Sequence, residues 1–311
     1  PELGTGVFAM DTGSSSSTIP AMDSSFVVDM ALYRKPDTAY SWHLPTRLTG
    51  TKQLYTNNTS AEGTDADLVF DSNVGWAKGS TFGSDQQSWM FKRHAGFDVV
   101  TYTGLGASSA PRSFAHSLGR TPEMIWTKGR DSTYSWRVWH KDLGNGGTSA
   151  APYYLVLNDT DAQTANGDVF GGSGNALPTS THWTTGGNAA INENGTDQIT
   201  MLFASVDGIS KVGYYTGNGG SSTQTVTLGF APRFILIKRA DANEHWLVLD
   251  TTRGWVSGGD SKFIYLQSNA AQGNLATSSV GVTPTSTGVE ISGTQGFANV
   301  NSGNYLYYAH A

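Results

Sequence analysis

Three tryptophans in this chain share one frame. Trp42, Trp136 and Trp246 each follow a basic residue by eight positions (Arg34, Lys128, Lys238) and precede a glycine by eight (Gly50, Gly144, Gly254). Three residue types recurring together in three places constrain the fold strongly, because a repeated stretch implies a repeated structural unit. The second and third copies agree over longer runs. Tyr102-Thr103-Gly104 is matched by Tyr215-Thr216-Gly217, Leu118-Gly119-Arg120-Thr121-Pro122 by Leu228-Gly229-Phe230-Ala231-Pro232, and Pro178-Thr179-Ser180-Thr181 by Pro284-Thr285-Ser286-Thr287. The closing runs Trp89-Met90-Phe91, Met201-Leu202-Phe203 and Leu306-Tyr307-Tyr308 also correspond. Three units follow, over residues 1–95, 96–207 and 208–311. The first is the least regular. Its opening Asp11-Thr12-Gly13 and four serines show no clear counterpart of the Tyr-Thr-Gly strand, so it reads as an atypical cap or a truncated repeat.

Within each unit the apolar clusters are short and bounded by turn residues, as at 97–102, 124–128, 136–139, 153–157 and 199–203 in the second. Trp136-Arg137-Val138 and Trp42-His43-Leu44 alternate with a period of two, which puts each apolar pair on one face of a strand. No window of about eleven residues keeps a helical period. With 38 glycines, 35 aromatics and only 14% charged residues, the composition suits strands joined by many turns. The expectation is an all-β chain of tandem antiparallel β-sandwich units (jelly-roll or concanavalin-like), with roughly seven or eight strands in each. Propeller blades and a continuous β-solenoid remain as alternatives; a unit of about 100 residues is long for either.

Composition also narrows the function. The chain has no cysteine, which removes disulfides, thiolate nucleophiles and cysteine-bound metals. Its net charge is −6 and its basic residues are scattered, unlike the basic stripe of a nucleic-acid binder. No apolar run approaches the length of about 18 residues that a membrane span needs. The start at Pro1, without a basic-plus-apolar leader, reads as a processed product or a piece of a longer protein. No HExxH, GxSxG or GxxxxGK pattern occurs, and Glu2, Glu62, Glu123, Glu193, Glu244 and Glu290 do not recur as a paired acid of the kind glycoside hydrolysis requires. The expectation is therefore a non-enzymatic protein with no cofactor and no metal. Asp159 and Asp161 near Asn158 could enter a calcium loop, but their counterparts Asn58/Ser60 and Ser268/Ala270 favour a turn role.

The run Gly96-Phe97-Asp98-Val99-Val100-Thr101-Tyr102-Thr103-Gly104, followed by Leu118-Gly119, Pro122, Trp136 and Trp139-His140-Lys141, resembles the repeated module of bacteriophage tail-fibre and related virion proteins. Leu54 to Glu62 and the close Asn304 to Ala311 are similar to further parts of that module, so the resemblance spans most of residues 25–311. It implies a concanavalin/laminin-G-like β-sandwich on a virion surface that recognises host glycans. It also implies other virion proteins as partners, and a homo-oligomer, such as a trimer, in a fibre. An architectural capsid- or tube-associated protein without a glycan ligand is the alternative, and a polysaccharide-degrading enzyme a weaker one.

Candidate binding residues follow from this reading. The framed Trp42, Trp136 and Trp246 each have Val or Leu two positions on, which points to core pegs rather than sugar platforms. Trp76 and Trp183 align with Val289, an exchange that suits packing better than recognition. Arg34, Lys128 and Lys238 are expected to pair with an acid or to lay their stems along an interface, and Gly50, Gly144 and Gly254 complete the set of structural anchors. The candidate ligand contacts are loop aromatics and a neighbour: Trp139, His140 and Trp255.

Overall fold

The computed structural model describes residues 2–146, 152–174, 176–257, 261–275 and 280–311. The chain is all-β, with several antiparallel sheets and only short helical turns between them. Among the described residues no helix is long and apolar enough to cross a membrane.

One strand order recurs three times. In the first unit the main sheet runs Phe8–Thr12, Gln87–Phe91, Met30–Arg34, His43–Pro45, Lys52–Tyr55, Gly63–Thr64. In the third it runs Ser210–Thr216, Asn304–His310, Phe234–Arg239, Trp246–Asp250, Ser261–Tyr265, Gly273–Leu275. The second repeats the start of this order with Phe97–Thr103, Asp197–Phe203, Met124–Gly129 and Arg137–His140, and a bridge from Val138 to Leu155 carries it on. Each unit adds a smaller sheet: Met22–Asp23 with Gly75–Trp76, Arg112–Ala115 with His182–Thr185, and Gln224–Thr227 with Gly288–Gly293 and Val280–Pro284.

Strand periodicity explains how these sheets pack. In Met30–Arg34, Met30 and Leu32 enter one core while Ala31 and Tyr33 enter another. Met124 and Trp126 likewise part from Ile125, and Phe234 and Leu236 from Ile235 and Ile237. In every unit the first set joins a single central core, and the second set packs into that unit's own outer core beneath its small sheet. The main strands are thus buried on both faces, which is why they read as unbroken apolar runs. Trp76, Trp183 and Val289 occupy the three outer cores, each with no exposed surface. Phe91, Phe203 and Tyr308 meet in the central core, the first two with ring centroids 6.4 Å apart and the second two 5.0 Å apart.

The framed tryptophans join the units into a ring. Each is buried in the central core, and each indole N–H donates to a carbonyl of a neighbouring unit: Trp136 to Tyr55 at 2.8 Å, Trp246 to Val156 at 3.0 Å and Trp42 to Tyr265 at 2.9 Å. The second unit thereby leans on the first, the third on the second, and the first on the third. Backbone bonds follow the same circuit, from Glu62 N–H to the Arg130 carbonyl, Gln163 to Ala240 and Gln272 to Pro36. A local bond fixes each tryptophan as well, its backbone N–H donating to Asn57, Asn158 or Gln267.

The other framed residues serve the same seams and turns. Arg34, Lys128 and Lys238 are almost fully buried, and no acid lies within salt-bridge distance of them among the described residues. They donate instead to carbonyls: Arg34 to Ser268 and Ala270 across the seam, Lys238 to Thr160 across the seam, and Lys128 to Gly129 and Ser132 in its own unit. Of the two expected roles, the acid partner is replaced by carbonyl dipoles, and burial lowers the pKa of both lysines to about 8. Gly50, Gly144 and Gly254 all hold positive φ (60°, 69° and 91°), the left-handed region where glycine escapes the Cβ clash.

The opening of the first unit proves regular. Thr12 pairs with Gln87 as Thr103 pairs with Asp197 and Thr216 with Asn304. Gly13, Gly104 and Gly217 follow, each pressed so tightly against a backbone carbonyl (Phe82, Glu193, Val300) that a methyl group would collide with it. Asp11-Thr12-Gly13 is therefore the counterpart of Tyr102-Thr103-Gly104, with aspartate in place of tyrosine.

Candidate binding cleft beside Trp139

Strand Arg137–His140 distributes its residues by the same alternation. Val138 points into the central core, while Trp139 points outward and packs with Ile125, Leu202 and Phe170 in the outer core of the second unit. The indole is only 8% exposed, but it lines a cleft of about 350 Å³ together with Pro122, Glu123, Lys141, Leu177 and Pro178. Leu177 is 62% exposed, so the rim offers an apolar surface to solvent.

The charges in this cleft are occupied. Lys141 Nζ lies 2.5 Å from Glu123 Oε1, and the Ser205 backbone N–H donates to Glu123 Oε2 at 2.6 Å. Burial works against the Glu123 carboxylate, yet these hydrogen bonds outweigh it and the pKa falls below its usual value. Asp29 holds the Arg93 N–H and faces Arg47 in the corresponding place of the first unit. Glu123 is thus a fastener for the chain between units, which leaves the cleft an apolar floor and a neutralised rim.

The other two predicted contacts are internal. His140 is 2% exposed; its Nδ1 accepts from the Asp142 N–H, its Nε2 lacks a hydrogen-bond partner of good geometry, and burial lowers its pKa to about 3. Trp255 is 1% exposed within the third unit's outer core, and its indole N–H donates to the Val282 carbonyl. The short helical turn Thr251–Arg253, capped by Asp250, and the left-handed Gly254 turn the chain inward there. Trp255 was expected at a loop surface; the chain reversal after Gly254 makes it a core residue with no face for a ligand. Trp139 reaches an open surface cleft, while His140 borders a small apolar void inside the protein.

No group of three or more His, Cys, Asp or Glu residues placed to hold a metal occurs among the described residues. Asp159 bonds the Thr160 N–H, and the Thr160 carbonyl takes the Lys238 ammonium and the Glu244 N–H, so this turn serves the seam. Two acids, Asp37 and Asp85, do share a groove between the first and third units, but Lys35 pairs with Asp85 at 2.6 Å and Gln272 donates to Asp37. Among the described residues, sequence reasoning missed two exposed aromatics: Tyr134, 40% exposed, and Tyr214, 55% exposed at the seam between the second and third units.

The fold and this cleft define a class: a three-unit antiparallel β protein with a shared core and shallow surface clefts. The chain belongs to the family described as a domain of unknown function, DUF7483, whose model matches residues 72–311. That match takes in the last strands of the first unit and all of the second and third. No curated protein and no solved structure matches the chain.

Proposed function

We propose that this protein is a non-enzymatic component of a bacteriophage particle, exposed on the virion surface in a tail fibre or related structure, where it contacts host surface glycan. Each unit is read as a β-sandwich of the concanavalin or jelly-roll kind, its main and small sheets forming the two layers. The observation that carries the reading is the closed ring: three units locked around one core hold their loops and clefts in fixed relative positions. Weak contacts displayed on such a platform, and multiplied in an assembled particle, gain strength through effective concentration. The Trp139 cleft supplies a shallow apolar contact of the kind that suits the C–H face of a sugar. The occupied state of Glu123, Asp37 and Asp85 supports a binding role over hydrolysis, which needs one free acid and one free base or nucleophile.

The test is binding of the purified chain to immobilised lipopolysaccharide and capsular polysaccharide. Binding is expected, without release of shortened glycan. A second reading, an architectural virion protein with no glycan ligand, is favoured by the burial of His140 and Trp255. It becomes the better account if no polysaccharide is retained.

A further inference from the structure

The three seams of the ring are equivalent in position but not in content. Each brings together a threonine that ends the unit's first strand, its partner on the last strand, and the two residues whose backbones bond across the seam. Between the first and second units these are Thr103, Asp197, Arg130 and Glu62. Here the Arg130 guanidinium fills the space, donating to both Glu62 oxygens at 2.9 and 3.1 Å and lying 3.9 Å from Asp197. Between the third and first units the set is Thr12, Gln87, Pro36 and Gln272, and between the second and third it is Thr216, Asn304, Ala240 and Gln163. With arginine replaced by Pro36 or Ala240, both of these seams open as grooves, of about 190 and 230 Å³.

Of these two grooves, the one between the second and third units carries an exposed aromatic in its lining, and the other carries none. Tyr214 lies on the same strand face as Val212, which enters the central core. Two residues farther along, the side chain emerges where the core ends, 55% exposed and lining the groove. The corresponding residue of the third-to-first seam, set by the pairing of Thr12 with Gln87, is Met10, which packs against the core. Asp142, Gln163, Thr216 and Asn304 line the same groove, Thr216 beside Tyr214 on its strand face and Asn304 as the strand partner of Thr216. Gln163 Oε1 already accepts from the Gly144 N–H, which orients the amide. Asp142 Oδ2 has no hydrogen-bond partner and lies 3.7 Å from His140 Nδ1.

We infer that this groove binds a neutral pyranose, with the sugar's C–H face on the Tyr214 ring and its hydroxyls on Asp142, Gln163, Thr216 and Asn304. An aromatic wall with a few converging acceptors and donors is the chemistry a polyhydroxylated ring requires. A volume of 230 Å³ is below the roughly 300–1,000 Å³ of sites for drug-sized ligands, which limits the contact to one ring of a longer chain. Asp142 is the one formally charged residue of the lining, so acidic sugars are disfavoured. The inference rests on the adhesive reading and names where one sugar unit sits.

The experiment is saturation-transfer NMR on the full chain with glucose, galactose, mannose, N-acetylglucosamine and N-acetylneuraminic acid, repeated on Tyr214→Ala and on Val74→Asp in the first unit. Both substitutions are at exposed positions, and circular dichroism confirms that each variant is folded. At least one neutral sugar is expected to give a signal, N-acetylneuraminic acid none. Tyr214→Ala is expected to weaken the neutral sugar at least tenfold, and Val74→Asp to leave it unchanged. Neutral-sugar binding that survives Tyr214→Ala, or is lost equally in Val74→Asp, overturns the seam site while leaving the adhesive reading intact. So does polysaccharide binding by a wild-type chain that takes up no neutral monosaccharide. If neither monosaccharide nor polysaccharide binds, the site and the adhesive reading both fail.

Discussion

Acidification should destabilise this protein well before its carboxylates titrate. His140 and His310 are 2% and 0% exposed, and burial lowers the pKa of each to about 3. In an unfolded chain a histidine titrates near 6.5. The folded pKa is depressed, so between these values the unfolded state binds more protons and stability falls as pH falls. The contribution is fully present above about pH 6.5 and is lost progressively toward pH 3. At pH 5 the unfolded imidazole is about 30-fold more protonated than neutral while the folded one stays neutral, a loss of about 2 kcal/mol per histidine. The two together cost about 4 kcal/mol, a large part of the roughly 5–15 kcal/mol that holds a domain folded. His43 and His94, each lowered to about 4 by burial, act in the same direction. Glu123 and Asp241, depressed below their usual values, add to the loss only at more acid pH. Urea midpoints between pH 8 and pH 5 measure the effect, and a double variant His140→Gln/His310→Gln should flatten the curve. A midpoint unchanged over that range in the wild-type chain would show that these imidazoles do not carry the burial penalty assigned to them.

Other expectations follow from the ring. Trp136→Phe removes the bond to the Tyr55 carbonyl and leaves a small cavity, and should cost about 2–4 kcal/mol in chemical denaturation. Trp42→Phe and Trp246→Phe should cost similar amounts, because each stands at the same point of its seam. Gly13→Ala should destabilise more than Gly50→Ala: the first meets a carbonyl whatever its φ, whereas the second costs about 1–2 kcal/mol for its left-handed backbone alone, read from thermal midpoints. Arg130→Ala should open the seam between the first and second units and lower stability by about 1–3 kcal/mol, while Glu62→Gln should lower it by less.

Much of the architecture can be read from the chain before any coordinates. The period of two, the short apolar runs and the Trp frame point to repeated antiparallel sheets, and the glycines of that frame all hold the left-handed turn. The strand Phe8–Thr12 is hidden because only Thr12-Gly13 of its signature survives, and the serines after it look like a linker. The shared core is hidden too: apolar runs reveal burial on two faces but not which partner covers each. Trp255 misled because its position after Gly254 looks like a loop tip, whereas a left-handed glycine can as well turn the chain back into the core. The seam groove had the weakest signal. Asp142, Gln163, Tyr214 and Asn304 converge only once the ring closes, and the repeat arithmetic alone shows that Ala240 stands where Arg130 blocks the neighbouring seam.

The ring itself is open to one direct measurement, differential scanning calorimetry of the full chain at neutral pH. Three units that share a central core and each lean on the next should melt in a single transition, with the calorimetric enthalpy equal to the van't Hoff enthalpy. Separate transitions, or a van't Hoff enthalpy near one third of the calorimetric value, would mean that the units fold independently and that the tryptophan seams do not bind them into one structure.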